Sequence, residues 1–70
     1  MEIIKIESEF IKLDSFLKLA GICQTGGEAK NLILDEYVSV NGEIETRRGK
    51  KLYPGDIISF DGNEFKIGER

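Results

Sequence analysis

Four cations within five residues, Arg47, Arg48, Lys50 and Lys51, are the densest chemistry-bearing feature of the sequence. A planar guanidinium offers paired donors that match two oxygens of one phosphate, and a lysine ammonium adds a mobile point charge. The stretch from Thr46 to Pro54 holds these four and no acid, a local charge of +4; the whole chain carries −3, so the remainder sums to −7. The pI of about 4.9 taken alone argues against a polyanionic ligand. Distribution outweighs the sum, because an acidic body with one basic stripe attracts a polyanion at that face and repels it elsewhere. Lys12, Lys18 and Lys30 add cations on predicted helices. A solvated loop is the alternative reading of the stripe.

A second element suited to anions is Thr25-Gly26-Gly27-Glu28. A threonine followed three residues later by a glutamate is a capping box, which marks a helix start. The first amides of a helix point outward without partners, and the positive end of the helix dipole favours an anion there. Gly26 and Gly27 carry no side chains, so a phosphate can approach their amides closely. The competing reading is structural: the glycines ease a tight entry turn and Thr25 with Glu28 closes the helix end.

Other chemistries are excluded by what is missing. The chain has no histidine and a single cysteine, Cys23, so neither a disulfide within the chain nor a Cys/His zinc site is expected. No nucleophile is paired with a base, and the carboxylates are accounted for as caps and surface charge, which leaves no catalytic residue to name. Cofactors and metals are expected to be absent. Met1 to Phe10 alternates charge with isoleucine, and no apolar run is long enough to span a bilayer. A cytoplasmic, non-enzymatic protein without a membrane partner is the expectation.

The elements that must position these residues follow from periodicity. Ile4 and Ile6 alternate with Lys5 and Glu7, as in a half-buried strand. Leu13, Phe16, Leu17 and Ala20 form the apolar stripe of a short helix that Gly21 ends. Ala29, Leu32 and Ile33 form the stripe of a second helix, from Thr25 to about Asp35. From Tyr37 the period becomes two, with Val38 and Val40 leading to Asn41-Gly42, the strongest short hairpin signal, and Ile44 on the returning arm. Arg47 to Lys51 is too polar for a core strand and reads as an exposed connection. Pro54-Gly55 predicts a type II turn, and Ile57 to Phe60, Asp61-Gly62 and then Phe65 with Ile67 predict a second hairpin. Phe16, Phe60 and Phe65 sit at core spacing, Cys23 reads as a small apolar filler, and Tyr37 and Tyr53 are left as residues able to stack on a base. The fold class is α+β: two short packed helices against a small antiparallel sheet, one domain spanning residues 1–70. A chain of this size buries only ~60% of its unfolded surface, which leaves little interior for a substrate cavity.

Several of these pieces recur in order: Leu13-Asp14-x-x-Leu17-Lys18-x-x-Gly21, Gly26-Gly27-x-Ala29-Lys30-x-x-Ile33, Val38-x-Val40-Asn41-Gly42 and Gly55-Asp56-x-Ile58. Together they resemble the S-four RNA-binding domain, also called the alpha-L motif, over roughly residues 10–60. The Gly-Gly-x-Ala-Lys segment and the arginine pair are similar to the small stand-alone bacterial members, the YaaA-like group. The resemblance implies a non-catalytic, ribosome-associated RNA binder, with ribosomal and transfer RNA as candidate partners. It also implies a surface formed by the helix pair and adjacent hairpin, which carries over to Lys12, Thr25, Gly26, Gly27, Lys30, Asn41 and Gly42. Many members have a serine-arginine pair where this chain has Gly26-Gly27, a change that removes a phosphate-binding side chain. With Arg47, Arg48, Lys50 and Lys51 from the charge pattern, these are the candidate RNA-binding residues. For Asn41 the turn role is the first reading.

Two rival classes use the same residues differently. A protein-interaction module of the same fold would bind a partner through the acidic face without RNA. A ubiquitin-like sulfur carrier would share size and charge, but such carriers end in a reactive Gly-Gly, whereas this sequence reads Ile67-Gly68-Glu69-Arg70.

Overall fold

The computed structural model describes residues 1–69. Seven strands and two helices follow in the order β1 (Glu2–Ile6), β2 (Ile11–Lys12), α1 (Leu13–Leu19), α2 (Gly26–Leu34), β3 (Val38–Val40), β4 (Glu43–Ile44), β5 (Lys51–Leu52), β6 (Ile57–Phe60) and β7 (Asn63–Glu69). A five-stranded sheet runs β1-β7-β6-β3-β4, and β2 with β5 forms a separate two-stranded piece.

The expected α+β fold, a helix pair on a small sheet, is what forms, with one difference in strand direction. Hairpins join β3 to β4 and β6 to β7, and β6 lies antiparallel to β3. β1, however, pairs with β7 in parallel, from Glu2 beside Phe65 to Ile6 beside Glu69. The helices and most strands intervene between these two segments, so no short turn dictates their direction. Ile4 lies beside Ile67 in that register and packs against the core.

Both helices end on backbone geometry that their sequences foreshadow unequally. After α1, Gly21 takes φ +78°, its amide donates to the Lys18 carbonyl, and the Ile22 amide donates to the Leu17 carbonyl. That paired arrangement closes a helix whose next residue turns left-handed, the conformation glycine adopts most easily. After α2 the same pair forms from Glu36 to Ile33 and from Tyr37 to Leu32, but the left-handed residue is Glu36, at φ 65°. A non-glycine residue there costs about 1–2 kcal/mol, so the stop expected at about Asp35 forms without a terminating glycine.

Leu13, Phe16 and Leu17 of α1 and Ala29 and Ile33 of α2 are fully enclosed, facing Val38, Ile58 and Ile67 on the sheet. Phe16 meets Phe65 edge to face at 6.2 Å, the arrangement favoured by ring quadrupoles. Phe60 is half-buried at the margin of this core, and Leu32 lies there with it. Cys23 is 5% exposed, and burial first, then nearby Glu28, push its thiol above the ordinary range, so it remains a neutral filler.

The segment expected to be an exposed connection is part strand. Leu52 is fully buried, and Lys51–Leu52 pairs antiparallel with Ile11–Lys12. Leu52 was masked in the sequence by the lysines before it, since a two-residue strand offers no periodicity to detect.

Candidate nucleic-acid interface

The basic stretch is fixed in place by the first turn of α1. Position 12, before that helix, is a lysine, which has no acceptor to offer the helix amides and makes no capping bond, while Asp14 Oδ1 accepts from the Ser15 amide at 2.8 Å. The loop supplies the acceptors instead: the Leu13 amide donates to the Lys50 carbonyl at 2.9 Å and the Asp14 amide to the Arg48 carbonyl at 3.1 Å. A turn closed by the Lys50 amide on the Arg47 carbonyl, 3.2 Å, keeps the loop compact. The segment that carries the charge is therefore also the cap of a core helix.

Charge repulsion at this point is built into the register. Lys12 of β2 stands directly opposite Lys51 of β5. Like charges facing across a strand pair destabilise it by about 0.2–1 kcal/mol, and a bound anion removes that cost. Lys51 Nζ also lies 4.7 Å from the centre of the Phe10 ring, a cation–π contact that holds the ammonium near an aromatic face. Phe10 in turn packs against Tyr53, ring centres 6.1 Å apart at 48°. Phe10 was not among the expected functional residues; its place next to β2 gave no signal until β2 itself was seen.

Lys50 and Lys51 face the hairpin across a groove of about 390 Å³, lined also by Asn41, Ile44, Arg47 and Tyr53. Asn41 and Gly42 take φ 52° and 86°, the doubly left-handed turn expected of this pair. The Asn41 side chain is then used to build the groove floor. Its Nδ2 donates to Asp56 Oδ1 at 3.1 Å, and its Oδ1 accepts from the Ile57 amide at 2.9 Å. Asp56 Oδ2 accepts from the Tyr53 amide at 2.8 Å, which ties the tyrosine to the same floor. The turn role of Asn41 thus occupies both ends of its amide.

The two arginines are not bare charges. Arg47 Nε and Nη2 grip Glu45 at 2.9 and 3.1 Å, and the Arg47 amide bonds the same carboxylate at 3.0 Å. The guanidinium bonds above all hold the Glu45 carboxyl down at about 2, against a burial effect that pushes upward. Arg48 Nε reaches Asp14 Oδ2 at 3.4 Å. Acids that lie just before the stripe, or far from it along the chain, so return to two of its four cations. Counting Lys12 with the stripe, Glu45 and Asp14 pair with two of five cations, and Glu43 and Asp56 line the same groove, so five cations stand against four acids at this face.

Thr25, Gly26, Gly27 and Lys30 line no part of that groove. Thr25 caps α2, Gly26 and Gly27 open it, and Lys30 lies midway along it. Thr25 Oγ1 accepts from the Glu28 amide at 3.1 Å, and the same hydroxyl donates to Glu28 Oε1 at 3.3 Å. The glutamate thus reaches back to the cap hydroxyl, and its carboxylate occupies the positive end of the helix. A Cβ at Gly26 would meet nothing within 4 Å, and neither glycine takes a positive φ, so packing does not require glycine at either position. Lys30 and Lys18 are exposed.

A second surface differs in sign. Tyr37 shares a depression of about 220 Å³ with Leu32, Phe60 and Asp61. An adjoining one of about 330 Å³ adds Ile22, Glu28, Asn31 and Asp35. Glu28, Asp35 and Asp61 are the charged residues lining it, and all three are acidic.

Among the described residues no three His, Cys, Asp or Glu side chains gather as a metal site, and no helix is long and apolar enough to cross a membrane.

Comparison with known proteins places this arrangement in context. Residues 4–68 match the family model described as S4 domain. The chain is 48% identical over 59 residues to the probable ribosome maturation protein RlbA of Bacillus subtilis (strain 168), covering 84% of this chain and 83% of that protein. It is 35% identical over 57 residues to the putative RNA-binding protein YbcJ of Escherichia coli (strain K12), 81% of each chain. The solution structure of E. coli YbcJ, which reveals an alfaL motif involved in RNA-binding, superposes with a TM-score of 0.73 at 30% identity, covering 97% of this chain and 87% of that one. With the family model matched over residues 4–68, and relatives 48% and 35% identical covered over more than four fifths of their length, the chain belongs to the S4 domain family.

Proposed function

We propose that this protein is a non-catalytic, cytoplasmic RNA-binding module, a single unit that grips structured RNA through the groove between the Asn41-Gly42 hairpin and the 47–51 loop. The observation that carries the reading is the Lys12–Lys51 rung beside Lys50 and Arg47: cations face one another at one edge of a molecule whose net charge is −3. Such a rung is unfavourable alone and favourable against phosphate. Gly26, Gly27 and Lys30 form a second, weaker contact, since Glu28 already offsets the helix dipole there. The likeness to a protein named for ribosome maturation makes ribosomal RNA the first partner to try, with transfer RNA the second.

The test is a salt titration of affinity for structured RNA. Contact with about 4–6 phosphates gives a log–log slope of about −3 to −4 on the single-strand scale. Replacing Arg47, Arg48, Lys50 and Lys51 together by alanine is expected to flatten that slope and weaken binding to every RNA. Wild-type affinity in that variant would remove the surface from the reading.

A further inference from the structure

The groove is not built as a plain phosphate track. Three acids line it, Glu43, Glu45 and Asp56, beside the three cations Arg47, Lys50 and Lys51. Two of those acids are consumed inside the protein, Glu45 by Arg47 and Asp56 by Asn41 and the Tyr53 amide. Glu43 is exposed, and its side chain makes no hydrogen bond or ion pair among the described residues. A free carboxylate repels a phosphate but accepts hydrogen bonds at two oxygens, so it suits the donor edge of a base. Tyr53 adds a face for stacking: it is 44% exposed, backed by Phe10, and held at its amide by Asp56. Lys50 and Lys51 lie three and two residues before it in sequence and line the same groove. The volume, about 390 Å³, lies at the small end of ligand pockets, ~300–1,000 Å³, enough for one nucleotide and too little for a strand.

We infer that this groove is a seat for a single unpaired nucleotide of a folded RNA, its base stacked on Tyr53, its phosphate on Lys50 and Lys51, and its donor edge on Glu43. Guanine fits that edge best, because its neighbouring imino and amino groups present two donors to one carboxylate, whereas uracil presents one. Single-stranded bases splayed from a helix are the features by which proteins read RNA sequence. The seat presupposes RNA binding and adds the kind of RNA element that is held.

The test compares two RNA hairpins with the same stem, one fully paired and one with a single bulged guanine. Tyr37 and Tyr53 are the chain's only tyrosines and it has no tryptophan, so a Tyr37→Phe background leaves Tyr53 as its sole tyrosine reporter. The bulged hairpin is expected to quench Tyr53 emission and to bind about five- to a hundredfold more tightly than the paired one, the range for one base stacked on an aromatic ring. Tyr53→Ala should bring the two hairpins to parity, and Tyr53→Phe should keep the preference. Glu43→Gln should narrow the preference for a guanine over a uracil bulge. Equal affinity for both hairpins without quenching, in a protein that still binds the stem with a salt-dependent affinity, overturns the seat and leaves RNA binding standing. Failure to bind either hairpin at low salt overturns the RNA reading and the seat with it. Equal binding of guanine and uracil bulges by the wild type overturns the role given to Glu43.

Discussion

Tyr53 and Tyr37 are both solvent-exposed, at 44% and 63%, and they sit in opposite electrostatic settings. Around Tyr53, Lys50 and Lys51 stand outside any ion pair with an acid, and the ring is pinned at its amide and backed by Phe10. Around Tyr37 the charged neighbours are Glu28, Asp35 and Asp61, and the preceding residue, Glu36, holds a left-handed conformation that its side chain disfavours. The same side chain is thus offered to a polyanion on one surface and withheld from it on the other. Exposure of an aromatic residue says little until the signs of its neighbours are known.

The two surfaces also differ in how deeply they are anchored, and that difference predicts the largest effect. Leu52 lies fully buried beneath the basic loop, so Leu52→Ala should cost about 2–5 kcal/mol. Tyr37→Ala, at an exposed position, should stay within about 0.5 kcal/mol of wild type. Urea denaturation of the two variants measures the gap; similar stabilities would mean that the loop is not fastened through β5.

Charge exchange probes the contrast more directly. The double variant Lys50→Glu with Lys51→Glu should lower RNA affinity by at least about tenfold at low salt. Asp35→Lys with Asp61→Lys, which adds twice the charge of a neutralisation to the Tyr37 side, should change it less than about threefold, and upward. Gel-shift titrations of both at one salt concentration would expose an error if the second pair proved the more damaging.

The smallest effect concerns acid. The Arg47 bonds hold the Glu45 carboxyl at about 2 in the folded protein, against 4.5 for an unperturbed glutamate. Its folded value is the lower one, so the stability it contributes is complete above pH 4.5 and is lost as pH falls through about 2. Arg47 should therefore stay clamped across the whole range in which RNA binding is measured. A carboxyl-carbon NMR titration reads this value, and a midpoint near 4.5 would show that the clamp is open.

How far the sequence could be read depended on the length over which each pattern was written. The helix stripes, Asn41-Gly42, Asp61-Gly62 and Pro54-Gly55 announce themselves within a few residues, and each of these elements stands where expected. The parallel union of β1 and β7 joins residues some sixty positions apart and has no local signature. At the candidate site the cations were plain in the sequence, but their partners were not. Asp14 lies 34 residues before Arg48 in the chain, and only the fold brings them together. One clue was legible in principle: Lys12 stands where a helix needs a capping acceptor, so another segment had to supply it. The opposition of Lys12 to Lys51 and the engagement of Asn41 with Asp56 depend on strands too short or too distant to be seen by periodicity.

The cap on α1 has a consequence for how this surface can change. The atoms that satisfy Leu13 and Asp14 are main-chain oxygens of residues 48 and 50, present whichever side chains those positions bear. Arg48 and Lys50 can be exchanged for other residues without undoing the helix start, so the ligand preference of the loop is open to revision while the scaffold beneath it stays folded.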